Sequence, residues 1–278
     1  MATSPDLTRA EELFSDRLWR LSSLYTVKNE RGMAVPFRPN HAQTLLYDQL
    51  HTLNIVLKAR QLGMTTFLQL MLLDACLFNS NTSAGIVAHN REDAEAFFDD
   101  KIKFAYDSLD PAIKDAIPAT HDSAKSLTFA NGSRIRVGTS LRSGTFQYLH
   151  VSEFGKTCAQ FPAKAKEIVT GAFNTVHAGQ FIAVESTAEG QGGYFHDMVM
   201  EAKRHAEMQR QLTPLDFKLH FFPWYEDARY ALSDGDTAMV GLTEDQEKYF
   251  DTLDAKGISL TPNQEAWYVK SSRRSAMR

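Results

Sequence analysis

Hydrophobic positions fall along this chain in two alternating rhythms. Short apolar runs of strand length stand at Ile55-Val56-Leu57, Thr82–His89, Gly179–Ser186 and Asp216–Trp224, and a β-rich run from Tyr148 ends at Ser152-Glu153. Between them lie stretches with helical spacing: Phe67–Phe78, Arg91–Leu109, Pro162–Val176 and Tyr194–Gln211. Buried strands alternating with such helices predict an α/β fold, a mostly parallel sheet flanked by helices. One stretch departs from this rhythm. In Leu127–Val137, Asn131-Gly132 separates two alternating runs and predicts a hairpin. Arg134 and Arg136 then share one face of its second strand. Solvation accounts for that face; contact with DNA phosphate is the alternative.

The flanks read differently. Ser4–Leu24 predicts one amphipathic helix, capped by Ser4 or Asp6, with Leu7, Leu13, Phe14, Leu18 and Leu21 along a stripe. Pro36 and Pro39 mark a turn, and Asn40 can cap a helix from His41. After Trp224-Tyr225 the chain turns polar. Thr243 precedes a helix over Glu244–Lys256 that ends at Gly257, and Thr261-Pro262 starts a last helix toward Arg278. The basic end KSSRRSAMR lacks a cap, as if a longer chain continued. The expected division is a helical segment over residues 1–34, a core over 35–225, and a small helical appendage, a lid or linker, over 226–278.

Composition narrows the classes. With 278 residues and 43% hydrophobic content the chain can bury a sizeable core. A net charge of −4 excludes a uniformly basic DNA-coating protein, so any nucleic-acid contact is a local patch. Cys76 and Cys158 have neither disulfide nor zinc spacing, which fits a reducing cytosol. No apolar stretch is long enough to cross a bilayer, and no secretory signal is present.

Candidate chemistry centres on Asn54–Thr66, NIVLKARQLGMTT. Strand, tight bend and apolar helix are the setting of a phosphate-binding loop, whose N–H groups and helix N-terminus hold anionic oxygens. Against the pattern G-x-x-x-x-G-K-S/T, Gly63 fits the second glycine and Thr65 the hydroxyl residue. Lys58 replaces the first glycine and Met64 the lysine, so Lys58 or Arg60 would have to supply the cation. Gln61, Gly63, Met64, Thr65 and Thr66 complete the expected phosphate loop. Upstream, the Gln43 amide can pair with an adenine edge, although a solvated helix residue is the plainer reading. Glu153 ends a buried strand, expected beside the loop strand, where it can orient an attacking water. Ser152 stands where Asp would hold Mg²⁺. Ser186 and Thr187 end another strand and can sense a γ-phosphate. A strand-turn-helix that binds nothing, and a strand-end Glu that merely pairs, remain the plain alternatives.

In this order and spacing the pieces resemble the ATPase part of large terminase subunits, the genome-packaging motors of tailed bacteriophages. The resemblance covers roughly residues 35–270. It rests on Gln43 in FRPNHAQ, the K-x-R-x-x-G pattern from Lys58 to Gly63, Arg142-Ser143-Gly144-Thr145, Ser152-Glu153-Phe154, and Glu185-Ser186-Thr187-Ala188 followed by Gly193-Tyr194-Phe195. It implies a P-loop NTPase core of the ASCE/RecA-like type, with ATP and Mg²⁺. Lys58 and Arg60 would bind phosphates, Thr65 would hold Mg²⁺ with Ser152 and Glu153, and Glu153 would be the catalytic carboxylate. Arg142 would reach a neighbouring subunit's ATP in a ring, unless it is simply a loop arginine paired to a nearby acid. Double-stranded DNA contacted without sequence preference, a portal protein and a small terminase subunit are the implied partners, in the host cytoplasm. Two departures matter. Ser152 in place of Asp predicts weak or slow hydrolysis, and no alternating strands after residue 224 could mount the family's nuclease, so no DNA cleavage is expected. Two other readings stay open: a helicase-like ATPase, which would need a second motor domain, and a non-catalytic nucleotide-binding module for ring assembly, which Met64 and Ser152 favour.

Overall fold

Asp16 breaks the first amphipathic stretch in two. Its backbone leaves helical geometry (φ −78°, ψ 110°) and its carboxylate accepts from the N–H groups of Leu18 and Trp19. Helix α1 (Pro5–Ser15) therefore ends there and α2 (Arg17–Ser23) begins, where the sequence predicted one helix. The computed structural model describes residues 5–276, so the Ser4 cap lies outside the described residues, as does the end of the chain at Arg278. A small hairpin follows, β1 (Thr26–Lys28) paired antiparallel with β2 (Ala34–Pro36). Asn40 caps α3 (His41–Asp48) in a reciprocal box with Gln43.

The large sheet starts with β3 (Leu53–Lys58), which leads through the bend into α4 (Met64–Phe78), and β4 (Ser83–Val87) follows. The expected helix over Arg91–Leu109 forms as α5 (Arg91–Phe97), a π-helical segment over Phe98–Lys103, and α6 (Phe104–Asp107). Next come α7 (Pro111–Ala116), β5 (Ala119–Ser123), β6 (Ser126–Phe129) and β7 (Arg134–Gly138). Strand β8 (Phe146–Ser152) runs into α8 (Phe154–Gln160), and α9 (Pro162–Glu167) continues through a π turn and a 3₁₀ turn to Thr175. Then β9 (Val176–Ser186), α10 (Tyr194–Glu207) and β10 (Phe217–Phe222) complete the sheet.

Its eight strands lie in the order β10-β3-β9-β8-β4-β7-β6-β5. Pairing is parallel from β3 through β9, β8 and β4 to β7, and antiparallel through β6 to β5. This is the α/β, mostly parallel sheet flanked by helices that the sequence predicts. Side chains on alternate residues face opposite sides of the sheet. Ile55, Leu149, Val151, Ile182 and Val184 point into one core, filled by Phe154 and Cys158 of α8, Ala165 of α9 and Phe195 and Val199 of α10. The opposite face is covered by α4, in which every residue from Phe67 to Leu77 is buried. The hairpin arginines divide: Arg134 is exposed, whereas the Arg136 guanidinium lies 4.7 Å over the Phe146 ring.

Among the described residues, those from 222 onward form a compact unit of their own. It contains α11 (Asp234–Thr237), α12 (Glu244–Asp254) and α13 (Pro262–Ala276). Aromatic rings hold it together: Trp224 stacks on Tyr268 at 5.8 Å, and Tyr230 meets Trp267 edge-on at 4.8 Å. No helix among the described residues is long and apolar enough to cross a membrane.

Candidate active site

Strand alternation builds the site. Ile55 and Leu57 of β3 face the α8–α10 core, so Lys58 projects toward α4. On β9, Glu185 is the register partner of Val56 on one side and of Ser152 on the other. Lys58, Glu185 and Ser152 thus converge on the α4 face, at the C-terminal ends of three parallel strands. The expectation that Glu153 ends the strand next to the loop strand is corrected here. Strand β9 lies between β3 and β8, and it is Glu185 that stands next to the loop strand.

Glu185 is the hub. Its Oε1 accepts from Thr65 Oγ1 at 2.6 Å and from Ser152 Oγ at 2.8 Å. Lys58 Nζ lies 3.0 Å from Oε2, an ion pair without hydrogen-bond geometry, and donates to Glu153 Oε1 at 3.3 Å. His150 Nε2 stands 3.5 Å from Glu185 Oε1. Burial alone would raise the Glu185 carboxyl, but His150, Lys58 and Thr65 outweigh it and hold it well below the usual carboxylate range. Burial likewise pulls the Lys58 ammonium down, yet Glu185 and Glu153 beside it leave its pKa raised. The cluster is therefore a buried cation–carboxylate pair, Lys58 with Glu185, with one partly exposed acid, Glu153, at its rim.

The loop is preorganised by α3. Gly63 is left-handed (φ 71°) and offers α4 no side-chain cap, so the first N–H groups of that helix have no side-chain partner from it. Gln43 is 3% exposed; its Nε2 donates to the Gly63 carbonyl at 2.9 Å while its Oε1 accepts from Asn40 N at 2.9 Å. With one donor and one acceptor bond made inside the protein, its amide braces the loop. Met64 is 1% exposed, with its side chain in the core, which leaves its backbone N–H as the group it can offer. Arg60 and Gln61 are exposed, Gln61 with positive φ (58°), and Thr65 and Thr66 are half-buried.

An open cleft of about 480 Å³ joins Lys58, Arg60, Gln61, Glu153 and Thr187. That is the size range of small-molecule sites. His89 and Lys156 share it. Burial first, then Lys156, lowers the His89 imidazole, despite Asp93 Oδ2 at 2.9 Å from its Nδ1. Two residues of the expected set stand apart. Ser186 is fully buried against Gly155, and Arg142 pairs through its Nε with Glu167 Oε1 at 2.7 Å. Among the described residues no group of three or more His, Cys, Asp or Glu forms a metal site. A Mg²⁺ site built on one carboxylate, a hydroxyl and phosphate oxygens does not need one; the Thr65 hydroxyl and the Glu185 carboxylate stand together at the helix start.

No protein-family model and no curated protein matches the sequence. Solved structures do. The crystal structure of the HK97 bacteriophage large terminase superimposes with a TM-score of 0.55 at 15% identity, over 89% of this chain and 55% of that one. This chain has the fold of a phage large terminase. It spans about half the length of the HK97 protein. The large terminase ATPase domain of Thermus phage P74-26 aligns with a TM-score of 0.49 at 13% identity, over 71% of this chain and 90% of that one. The large terminase of the thermophilic bacteriophage D6E, in complex with ATP-gamma-S, gives 0.43 at 10% identity, over 71% and 46%.

Within this terminase fold, sequence reasoning gave no individual role to four residues. Glu185 entered only as part of the strand-end motif Glu185-Ser186-Thr187-Ala188. His89 and Lys156 follow the ends of β4 and β8, a position that marks ligand contact once the strand order is known. Lys101, on the π-helical segment, donates to Thr66 Oγ1 at 3.1 Å; no motif announces it.

Proposed function

We propose that this chain is the ATP-hydrolysing part of a viral genome-packaging motor, which couples hydrolysis to movement of double-stranded DNA into a procapsid. The observation that carries this reading is the position of Lys58. Its ammonium lies between Glu153 and Glu185, beside a loop and helix start suited to phosphate, with the Thr65 hydroxyl on the same carboxylate. The terminase fold supports it.

In this reading residues 35–225 are the ATPase core and 226–278 a lid or linker. The loop N–H groups, Lys58 and Arg60 bind the phosphates, and Thr187 lines the γ-phosphate end. Bound Mg²⁺ would neutralise phosphate charge, held by Thr65 and, through water, by Glu185 and Ser152. Glu185 supplies, from the neighbouring strand, the carboxylate that Ser152 lacks; its Oε1 lies 2.8 Å from the Ser152 hydroxyl. Glu153, at the rim, orients the attacking water and accepts its proton. Arg142 acts in trans on a neighbouring subunit of a ring after leaving Glu167. Non-specific, salt-sensitive DNA contact, a portal protein, a small terminase subunit and the host cytoplasm complete the assignment.

Steady-state hydrolysis tests it: Glu153→Ala should lose at least about a hundredfold in kcat, and equal rates for variant and wild type refute the reading. A second reading, a nucleotide-binding module without turnover, is favoured by Met64 in the place of the loop lysine. ATP binding without hydrolysis, even with DNA and partner subunits present, decides for it.

A further inference from the structure

Lys101 is an anomaly of charge. It belongs to the π-helical segment Phe98–Lys103, a backbone form that is rare and concentrates at functional sites. Its side chain is half-buried, and its ammonium donates to Thr66 Oγ1 at 3.1 Å. The Phe97 ring, which lines the cleft, lies 5.5 Å from the same nitrogen. Among the described residues no carboxylate stands within ion-pair distance of Lys101, whereas Lys58 has two. Burial lowers the Lys101 ammonium, and although Glu185 favours the charged form, it does not reverse the shift. An ammonium partly withdrawn from water without an ion-pair partner is costly to keep. An anion arriving at the first turn of α4 would remove that cost.

The loop explains why a cation is wanted there. Met64 occupies the place of the usual lysine and is buried in the core. Lys58 comes from the strand and is engaged by two carboxylates. Thr66 is the residue after the hydroxyl that meets Glu185, so Lys101 stands beside the same helix start and reaches it from a different element. We infer that Lys101 is a second phosphate-binding cation of this site, meeting the anionic oxygens of a nucleoside polyphosphate beside Thr66 and supplying the charge that Met64 cannot. This rests on the nucleotide reading above.

The test is titration of the full chain with Mg–ATP, followed by calorimetry and by thermal unfolding with and without nucleotide. Lys101→Met should weaken ATP binding by about ten- to a hundredfold, the worth of a hydrogen bond to a charged group. Lys101→Arg should keep more of the affinity, because it keeps the charge. Without nucleotide, Lys101→Met should unfold at the wild-type temperature or above, since an unpaired charge has left the interior. A lysine that merely props up Thr66 would give the opposite pattern: a lower unfolding temperature and unchanged ATP affinity. That result overturns the inference. Wild-type protein that takes up no ATP would instead overturn the nucleotide reading, and the role of Lys101 with it. Wild-type binding matched by Lys101→Met removes the role of Lys101 alone.

Discussion

A single carboxylate, Glu185, ties three strand ends and one helix start together. Removing it leaves Lys58 with Glu153 alone and strips acceptors from Thr65 and Ser152. Glu185→Ala should therefore destabilise the fold by about 3–5 kcal/mol, read by urea unfolding. The geometry also makes a less obvious prediction about Ser152. Restoring the aspartate that the terminase resemblance leads one to expect, Ser152→Asp, places a second carboxylate against Glu185, and like charges at that range cannot both ionise freely. The single variant should lose stability without gaining rate, whereas Ser152→Asp combined with Glu185→Ser should regain much of the loss. Additive effects in that double-mutant cycle would sink the idea that the two positions share one role. Lys58, Gly63 and Thr65 were legible in the sequence because their spacing along one segment carries the signal. The partnership of Ser152 with Glu185 was not, because it depends on the register between two strands.

At the scale of elements, local chemistry read out well. The Asn40 cap, the Thr243 cap and the Asn131-Gly132 hairpin all form as their residue types predict. Misses came where backbone geometry departed from an unbroken pattern. Asp16 capped a new helix inside an apolar stripe, the two π segments left no trace in the periodicity, and β5, Ala-Thr-His-Asp-Ser, is too polar to read as a strand. The brace between α3 and the loop is an element-scale device with its own test. A Cβ on Gly63 would sit 2.7 Å from Gln43 Nε2, at a φ of +71° that already disfavours it. Gly63→Ala should cost about 1–3 kcal/mol, and Gln43→Ala about 1 kcal/mol through the lost capping box. Both are measurable as shifts in the urea midpoint. A Gln43→Ala variant as stable as wild type would show that the brace contributes nothing.

For the molecule as a whole, fold class was legible but strand order was not. Alternating strands and helices dictate a parallel sheet, yet nothing in the apolar pattern places β9 between β3 and β8. The sheet also sets an acid limit. His220 on β10 bonds Asn54 Oδ1 through Nε2 at 3.0 Å, and burial, then Lys218, lowers it from 6.5 to about 4. Its folded pKa lies below its unfolded one, so its stabilisation is present above pH 6.5 and is lost as pH falls toward 4. Glu185 adds a loss below the ordinary carboxylate pKa of 4.5. Urea midpoints should decline across this window, and His220→Gln, which keeps a donor toward Asn54, should flatten the upper part. Glu153 carries a consequence of another kind. Like Gln61 in the same cleft, it sits in left-handed backbone (φ 51°, ψ 44°), a conformation that glycine tolerates far better. A laboratory selecting this chain only for heat tolerance should accordingly recover Glu153→Gly early. Each such winner would be a hardier molecule without the acid that the proposed hydrolysis uses, so under that proposal toughness and turnover pull in opposite directions at one codon.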